Sequence, residues 1–296
     1  MASVYIIVIL ICRVIQAFFN KRSSNEIKNL NMLIGYNAYK NSISAILGLI
    51  LIIIVGNGFK VDILTVLIAS FSGIALFFSC FCSIYAMKSG TICLSSMFGT
   101  AGLLIPIIAG ALFFNQSVSF YQIIGVLLFF VSAFFLIMSS KTIFNGFSFK
   151  TLILLIGSLI SNGCTMLAQQ MFTRYVPDGD VSVFSFFSFA IIAFLSAILY
   201  LFSTFVSKKA RVTAKPNKSL LLCGVALAIS VFIINQLATL STTLVSPIIL
   251  FTFINGGGTI ISTIVAAIVY KEKITVKTGL GIILGVVSLV IIKAFE

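Results

Sequence analysis

The chain has 296 residues, of which 60% are hydrophobic and only 8% charged. Soluble domains carry about 25% charged residues, so this composition excludes an ordinary soluble protein. The net charge of +13 does not indicate nucleic acid, because the basic residues gather in short loops between long apolar runs, as cytosolic loops of membrane proteins do.

A helix needs about 20 mostly apolar residues to cross a hydrocarbon core of roughly 30 Å. Such runs predict helices at about 3–20, 33–55, 63–87, 91–114, 121–139, 150–173, 181–206, 218–240, 245–270 and 276–294. Strand-type alternation is absent, which argues against a β-barrel. The predicted fold class is an all-α integral membrane protein with ten transmembrane helices. Met1 to Asn20 lacks a basic start and a small-residue cleavage site, so it reads as the first membrane helix and not as a signal peptide.

Helix 1 carries Arg13 near its middle. A basic residue at a helix centre costs about 2.5–3.5 kcal/mol on insertion scales and usually faces a cavity or a partner. Arg13, Gln16 and Asn20 share one helix face. Asn20 separates Arg13 from the loop by about 10 Å of helix at 1.5 Å per residue, a long reach for a side chain that snorkels. In helix 2, Lys40 and Asn41 lie well inside the apolar run, and Lys40 can either snorkel or face a cavity.

From Ser95 to Lys141 two apolar runs flank Asn115-Gln116-Ser117, with Gly125 beyond the turn. Helix 6 then carries Asn162, Gln169 and Gln170, and helix 8 carries Asn235 and Gln236. Buried amides need partners or water, and this many on two membrane helices favours a hydrated cavity over a dry bundle. Helix 9 carries a polar stripe, Thr252, Asn255, Thr259 and Ser262, beside Gly256-Gly257-Gly258. The stripe is either a cavity wall with a flexible point or a helix-packing face. Pro106 and Pro247 can bend helices 4 and 9. The chain closes on a second hairpin, Ser246 to Lys293, whose turn is Lys271-Glu272-Lys273 and whose matching glycine is Gly281.

The two halves, 1–140 and 150–296, resemble each other. Gln16-Ala-Phe-Phe19-Asn-Lys21 matches Gln169-Gln-Met-Phe172-Thr-Arg174 at a displacement of 169 − 16 = 153 residues, and the hairpins match at 272 − 116 = 156. A five-helix unit crosses the membrane an odd number of times, so its second copy is inverted, a common transporter architecture.

With five-helix halves that each close on a small-residue helix, a short turn and a glycine-marked last helix, the chain resembles the EamA-like family of the drug/metabolite transporter superfamily. The carrying residues are Tyr270-Lys-Glu272-Lys-Ile-Thr, Gly279, Gly281 and Gly285-Val286 in the second half, and Gln116 (where the family usually has Glu) with Gly125-Val126 in the first. Lys40 stands where the family often carries a basic residue. The resemblance implies two inverted five-helix repeats, with helices 1, 3, 4, 6, 8 and 9 around a central cavity. It also implies both termini inside the cell. Loop charge implies the opposite, since the even loops and tails hold only Lys60, Arg174 and Lys293.

All six acids, Glu26, Asp62, Asp178, Asp180, Glu272 and Glu296, fall in loops, turns or tails, and there is no histidine. The six cysteines lie in apolar runs without zinc-type spacing. No catalytic residue, metal site or cofactor is therefore expected, and the embedded-glutamate mechanism of the superfamily's small multidrug exporters is not open to this chain.

The expected function is secondary transport of small organic metabolites, amino-acid-like and anionic or zwitterionic, across a plasma membrane by alternating access. Arg13, Gln16, Lys40, Asn162, Gln169, Asn235, Gln236, Thr252 and Asn255 are the expected substrate-binding residues. The expected partners are that substrate and the lipid bilayer, with a homodimer left open and nucleic acid excluded. The alternatives are a broad exporter of neutral hydrophobic compounds, served by the thirty Phe, and a membrane scaffold subunit with a dry interior.

Overall fold

The computed structural model describes residues 2–55, 61–88, 98–116, 118–138, 149–206, 217–261, 264 and 275–294. Every regular element among them is helical. In chain order these are α1 (Ala2–Glu26), α2 (Leu30–Val55), α3 (Ile63–Lys88), α4 (Leu104–Phe113), α5 (Phe120–Met138), α6 (Phe149–Tyr175), α7 (Val181–Val206), α8 (Lys218–Ser241), α9 (Pro247–Ile261) and α10 (Val276–Ala294). Six of them, α1, α2, α3, α6, α7 and α8, contain spans long and apolar enough to cross a membrane, and the other four are shorter apolar helices. The chain is an all-α membrane protein. Its outer face suits lipid: Ile53, Ile54 and Phe205 are 71%, 74% and 83% exposed.

Polar side chains at the helix starts replace missing backbone partners. Asn29 Oδ1 accepts the Met32 N–H at 2.8 Å to begin α2, and Asp180 Oδ1 accepts the Ser182 N–H at 2.7 Å to begin α7. At α5 the Ser119 N–H donates to Gln122 Oε1 at 3.1 Å, the return half of a capping box. Pro247 occupies the first turn of α9, where no N–H partner is needed, so it starts that helix and does not bend it. Pro106 has a different consequence. One turn before it, Gly102 and Leu103 form a tight turn on the Gly99 and Thr100 carbonyls. Helix 1 runs past its expected end at residue 20 to Glu26. No glycine or proline stops it, and Ser23 Oγ donates back to the Asn20 carbonyl at 3.0 Å.

The main helix pairs are α2 with α7, α3 with α6, α5 with α10 and α1 with α8. Secondary contacts join α3 to α7, α2 to α8 and α4 to α6. Small residues set the close approaches. Gly125, singled out in the first hairpin, faces Ile292, where an added Cβ would lie 2.5 Å from Ile292 Cγ1. Gly281, its match, offers its carbonyl to Ser132 Oγ at 2.6 Å. The hairpin glycines thus hold α5 against α10. Ser44 Oγ donates to the Ala228 carbonyl (3.1 Å), tying α2 to α8, and Ser188 Oγ to the Ala69 carbonyl (3.3 Å), tying α7 to α3. The central core joins Ile9 and Cys12 of α1, Phe129 of α5, Met166 of α6, Phe251 of α9 and Ile292 of α10.

Cys93, Ser117, Ser262, the turn Lys271-Glu272-Lys273 and the connection 141–148 lie outside the described residues.

At the α4–α6 crossing, backbone meets backbone: a Cβ on Gly163 would lie 2.5 Å from the Gly102 oxygen and 2.6 Å from Ile105 Cδ1. Gly163→Ala is expected to destabilise the protein by about 1–3 kcal/mol through overpacking. Gly279→Ala, with nothing within 4 Å of the new methyl, is expected not to lower stability. Thermal unfolding midpoints of the two variants in detergent check the contrast.

Candidate functional site

Arg13 fits inside the membrane part of α1 because α9 makes room for it. Residues Phe253–Gly257 of α9 form a π-helical turn, a feature frequent at functional sites. Gly256, Gly257 and Gly258 follow one another there, and each admits a different neighbour. A Cβ on Gly256 would lie 2.8 Å from Phe129 Cε2, one on Gly257 3.0 Å from Leu10 Cδ2, and one on Gly258 3.3 Å from Arg13 Cγ. The aliphatic stem of Arg13 therefore lies against the bare backbone of Gly258.

Beside the guanidinium is a cavity of about 290 Å³. Arg13, Gln16 and Asn20 of α1, Thr100 before α4, and Asn255 and Thr259 of α9 supply its polar lining. Burial falls along it, from buried Asn255 to exposed Asn20. Arg13 Nη1 donates to Gln16 Oε1 at 3.1 Å, while its Nε is buried without a partner. Asn255 Nδ2 donates to the Phe251 carbonyl at 2.9 Å and lies 3.8 Å from Met166 Sδ. Thr259 Oγ1 donates to the Asn255 carbonyl at 2.7 Å. Among the described residues, no carboxylate lines the cavity.

Arg13, Gln16 and Asn255 are thus brought together, and the other expected site residues are placed elsewhere. Asn162 Nδ2 donates to the Gly99 carbonyl, next to Thr100, so it holds the tight turn before α4 against α6. Gln169, Asn235 and Gln236 form a network with α7. Gln169 Nε2 donates to Asn235 Oδ1 (2.7 Å), Asn235 Nδ2 to Ser185 Oγ (3.3 Å), Ser185 Oγ to Gln236 Oε1 (2.7 Å) and Gln236 Nε2 to Ser182 Oγ (3.2 Å). The amides read from the sequence as a wet surface largely satisfy one another. Nearby, Thr173 Oγ1 lies 2.9 Å from Thr242 Oγ1, and Gln170 Nε2 donates to Gln116 Oε1 at 3.2 Å.

Lys40 is not among the cavity residues, and its Nζ donates to Asn37 Oδ1 on its own helix at 3.2 Å. Thr252 is fully buried, with an unpartnered hydroxyl. The π turn explains its displacement from the stripe. Its wider turn carries more residues, so each rotates the chain less and Thr252 falls behind Asn255 and Thr259. Thr100 was missed by sequence reasoning, whereas Gly258 belongs to the glycine run singled out beside the helix 9 stripe. The Gly99, Gly102 and Pro106 cluster around Thr100 is the signal of a helix interruption that could have marked it.

No protein-family model matches the chain, and no curated protein matches it. A solved structure described as "Crystal structure of protein" aligns with a TM-score of 0.80 at 15% identity, covering 99% of this chain and 96% of its own. At that identity the likeness establishes a shared fold over the full length and nothing about function.

In membranes, hydrogen bonds between helices contribute about 0.6 kcal/mol on average and up to about 1.7. A double-mutant cycle on Gln169→Ala and Asn235→Ala is expected to recover a coupling in that range, read as unfolding free energies in detergent.

Proposed function

We propose that this chain is a secondary transporter of EamA-like type, built as ten membrane helices in two inverted five-helix repeats. It moves small organic metabolites bearing an anionic or zwitterionic group across the plasma membrane by alternating access. The observation that carries this reading is the polar cavity in the membrane interior, built around a guanidinium with no carboxylate beside it.

The packing pattern supports the repeat. Exchanging each helix with the one five places along turns the α3–α6 pair into α8–α1, turns α3–α7 into α8–α2, and leaves α2–α7 and α5–α10 unchanged. The tie from Ser44 to α8 has its counterpart in the tie from Ser188 to α3. At the sequence displacement of 153, Gln16 corresponds to Gln169, Asn20 to Thr173 and Arg13 to Met166. Gln16 and Asn20 line the cavity, whereas Gln169 and Thr173 are bonded to Asn235 and Thr242. One half-site open and its counterpart closed is the geometry an alternating-access carrier requires.

The lining favours polar substrates over neutral hydrophobic ones, since none of the thirty Phe is among the lining residues. A polar cavity of this size is also not what a dry scaffold bundle needs.

Reconstituted vesicles test the reading. A hydrogen bond to a charged group contributes about 1.5–3 kcal/mol, so Arg13→Ala is expected to lower labelled-substrate flux about 10- to 100-fold. Asn255→Ala is expected to lower it less. Undiminished flux in both variants would remove the site. Closing the other half-site covalently gives an independent check. A Thr173→Cys, Thr242→Cys pair, oxidised to a disulfide, is expected to stop turnover, and a reductant to restore it. Full transport by the oxidised pair would count against alternating access through this face.

A further inference from the structure

The donors and acceptors of the Arg13 cavity are unevenly distributed, and the distribution specifies a ligand. Beside Arg13 the free groups are donors, and Asn20 lies beyond them at the exposed mouth. Arginine has no acceptor, and its Nε is buried without a partner. Gln16 has committed its oxygen to Arg13 Nη1, which leaves its amide nitrogen as a donor. The other end is the reverse. Asn255 Nδ2 is committed to the Phe251 carbonyl, with Met166 Sδ beyond it. A flipped amide would set its oxygen against the Phe251 oxygen, acceptor against acceptor, so the orientation is fixed and Oδ1 is the atom left to bind. The Arg13 stem lies against Gly258, one helical turn from Asn255. Both ends face one cavity of about 290 Å³, room for a small molecule.

We propose that the cavity reads its ligand at two points. Arg13 and Gln16 take a carboxylate, and Asn255 Oδ1 takes an N–H or O–H donor carried close to it. The ligand class is small amino or hydroxy carboxylates, and Asn255 is the residue that separates them from plain carboxylates. A simple amine has no countercharge here, because no carboxylate is among the described lining residues. A plain carboxylate satisfies the basic end but, by covering the Asn255 oxygen without donating to it, leaves that oxygen unpaired, which is penalised. This inference rests on the cavity being the substrate site of the preceding section, and it adds the division of labour within it.

The test is equilibrium binding to the purified full chain in detergent, using propionate, lactate and alanine as three acids of similar size, with propylamine as control. Lactate and alanine are expected to bind about tenfold tighter than propionate, and propylamine not to bind. In Asn255→Leu the gap is expected to close, with lactate and alanine losing affinity and propionate gaining it as the unpaired oxygen is removed. In Arg13→Gln all three acids are expected to weaken. A purely structural Asn255 would instead weaken all three acids together in Asn255→Leu, which would overturn the proposal. So would equal binding of the three acids by the unaltered protein, or binding of none, and these two results need no variant to fold. Flux measurements separate this proposal from the transport reading. Two-point binding without flux in vesicles defeats transport and leaves the site assignment standing. Flux of alanine and propionate with equal affinity does the opposite.

Discussion

A guanidinium in the middle of a membrane helix has to be given polar company by the protein, because hydrocarbon supplies none. Much of the structure around the cavity follows from that requirement. Gly257 and Gly258 of α9 bring its backbone against α1 and let the Arg13 stem lie flat. The π turn in the same segment sets Asn255 and Thr259 toward the opening. The tight turn before α4, held by Asn162 and followed by Pro106, places Thr100 on the third side. Two segments that depart from regular geometry, in α9 and before α4, thus meet the regular helix α1 where the charge is.

The other intramembrane polar groups are handled differently. Gln169, Asn235, Ser185, Gln236 and Ser182 exchange hydrogen bonds across three helices. Ser44, Ser132 and Ser188 each cap a carbonyl on a neighbouring helix. These groups stabilise contacts between helices without a solvent space. These polar residues, bonded to neighbouring helices, stand apart from those that line the cavity around Arg13, whose Nε is buried without a partner. Residue type does not separate the two sets, since both contain asparagine and glutamine.

That division explains how far the sequence could be read. Apolar run length was enough to find the six long spans, because crossing hydrocarbon is a one-dimensional requirement. The grouping of Arg13, Gln16 and Asn20 was legible because helical spacing alone puts them on one face. The hairpin glycines were legible as features, although their partners, Ile292 and Ser132, were not. What could not be read was which amide meets which. Gln169 finds Asn235 66 residues away, and no local pattern distinguishes an amide with such a partner from one facing water. Thr252 failed for a local reason: the stripe assumed a regular helix, and the π turn rotated it out.

On the proposed repeat, Met166 stands at the position that corresponds to Arg13, and it touches Asn255 with sulfur. Among the described residues that line the cavity, Arg13 carries the one positive charge. A membrane also carries a voltage. One elementary charge taken through the full potential exchanges about 2.3 kcal/mol per 100 mV. Any rearrangement that shifts Arg13 relative to that field draws on some fraction of this energy. Arg13 thus gives the cavity an electrical handle, a charge whose position the membrane voltage can bias.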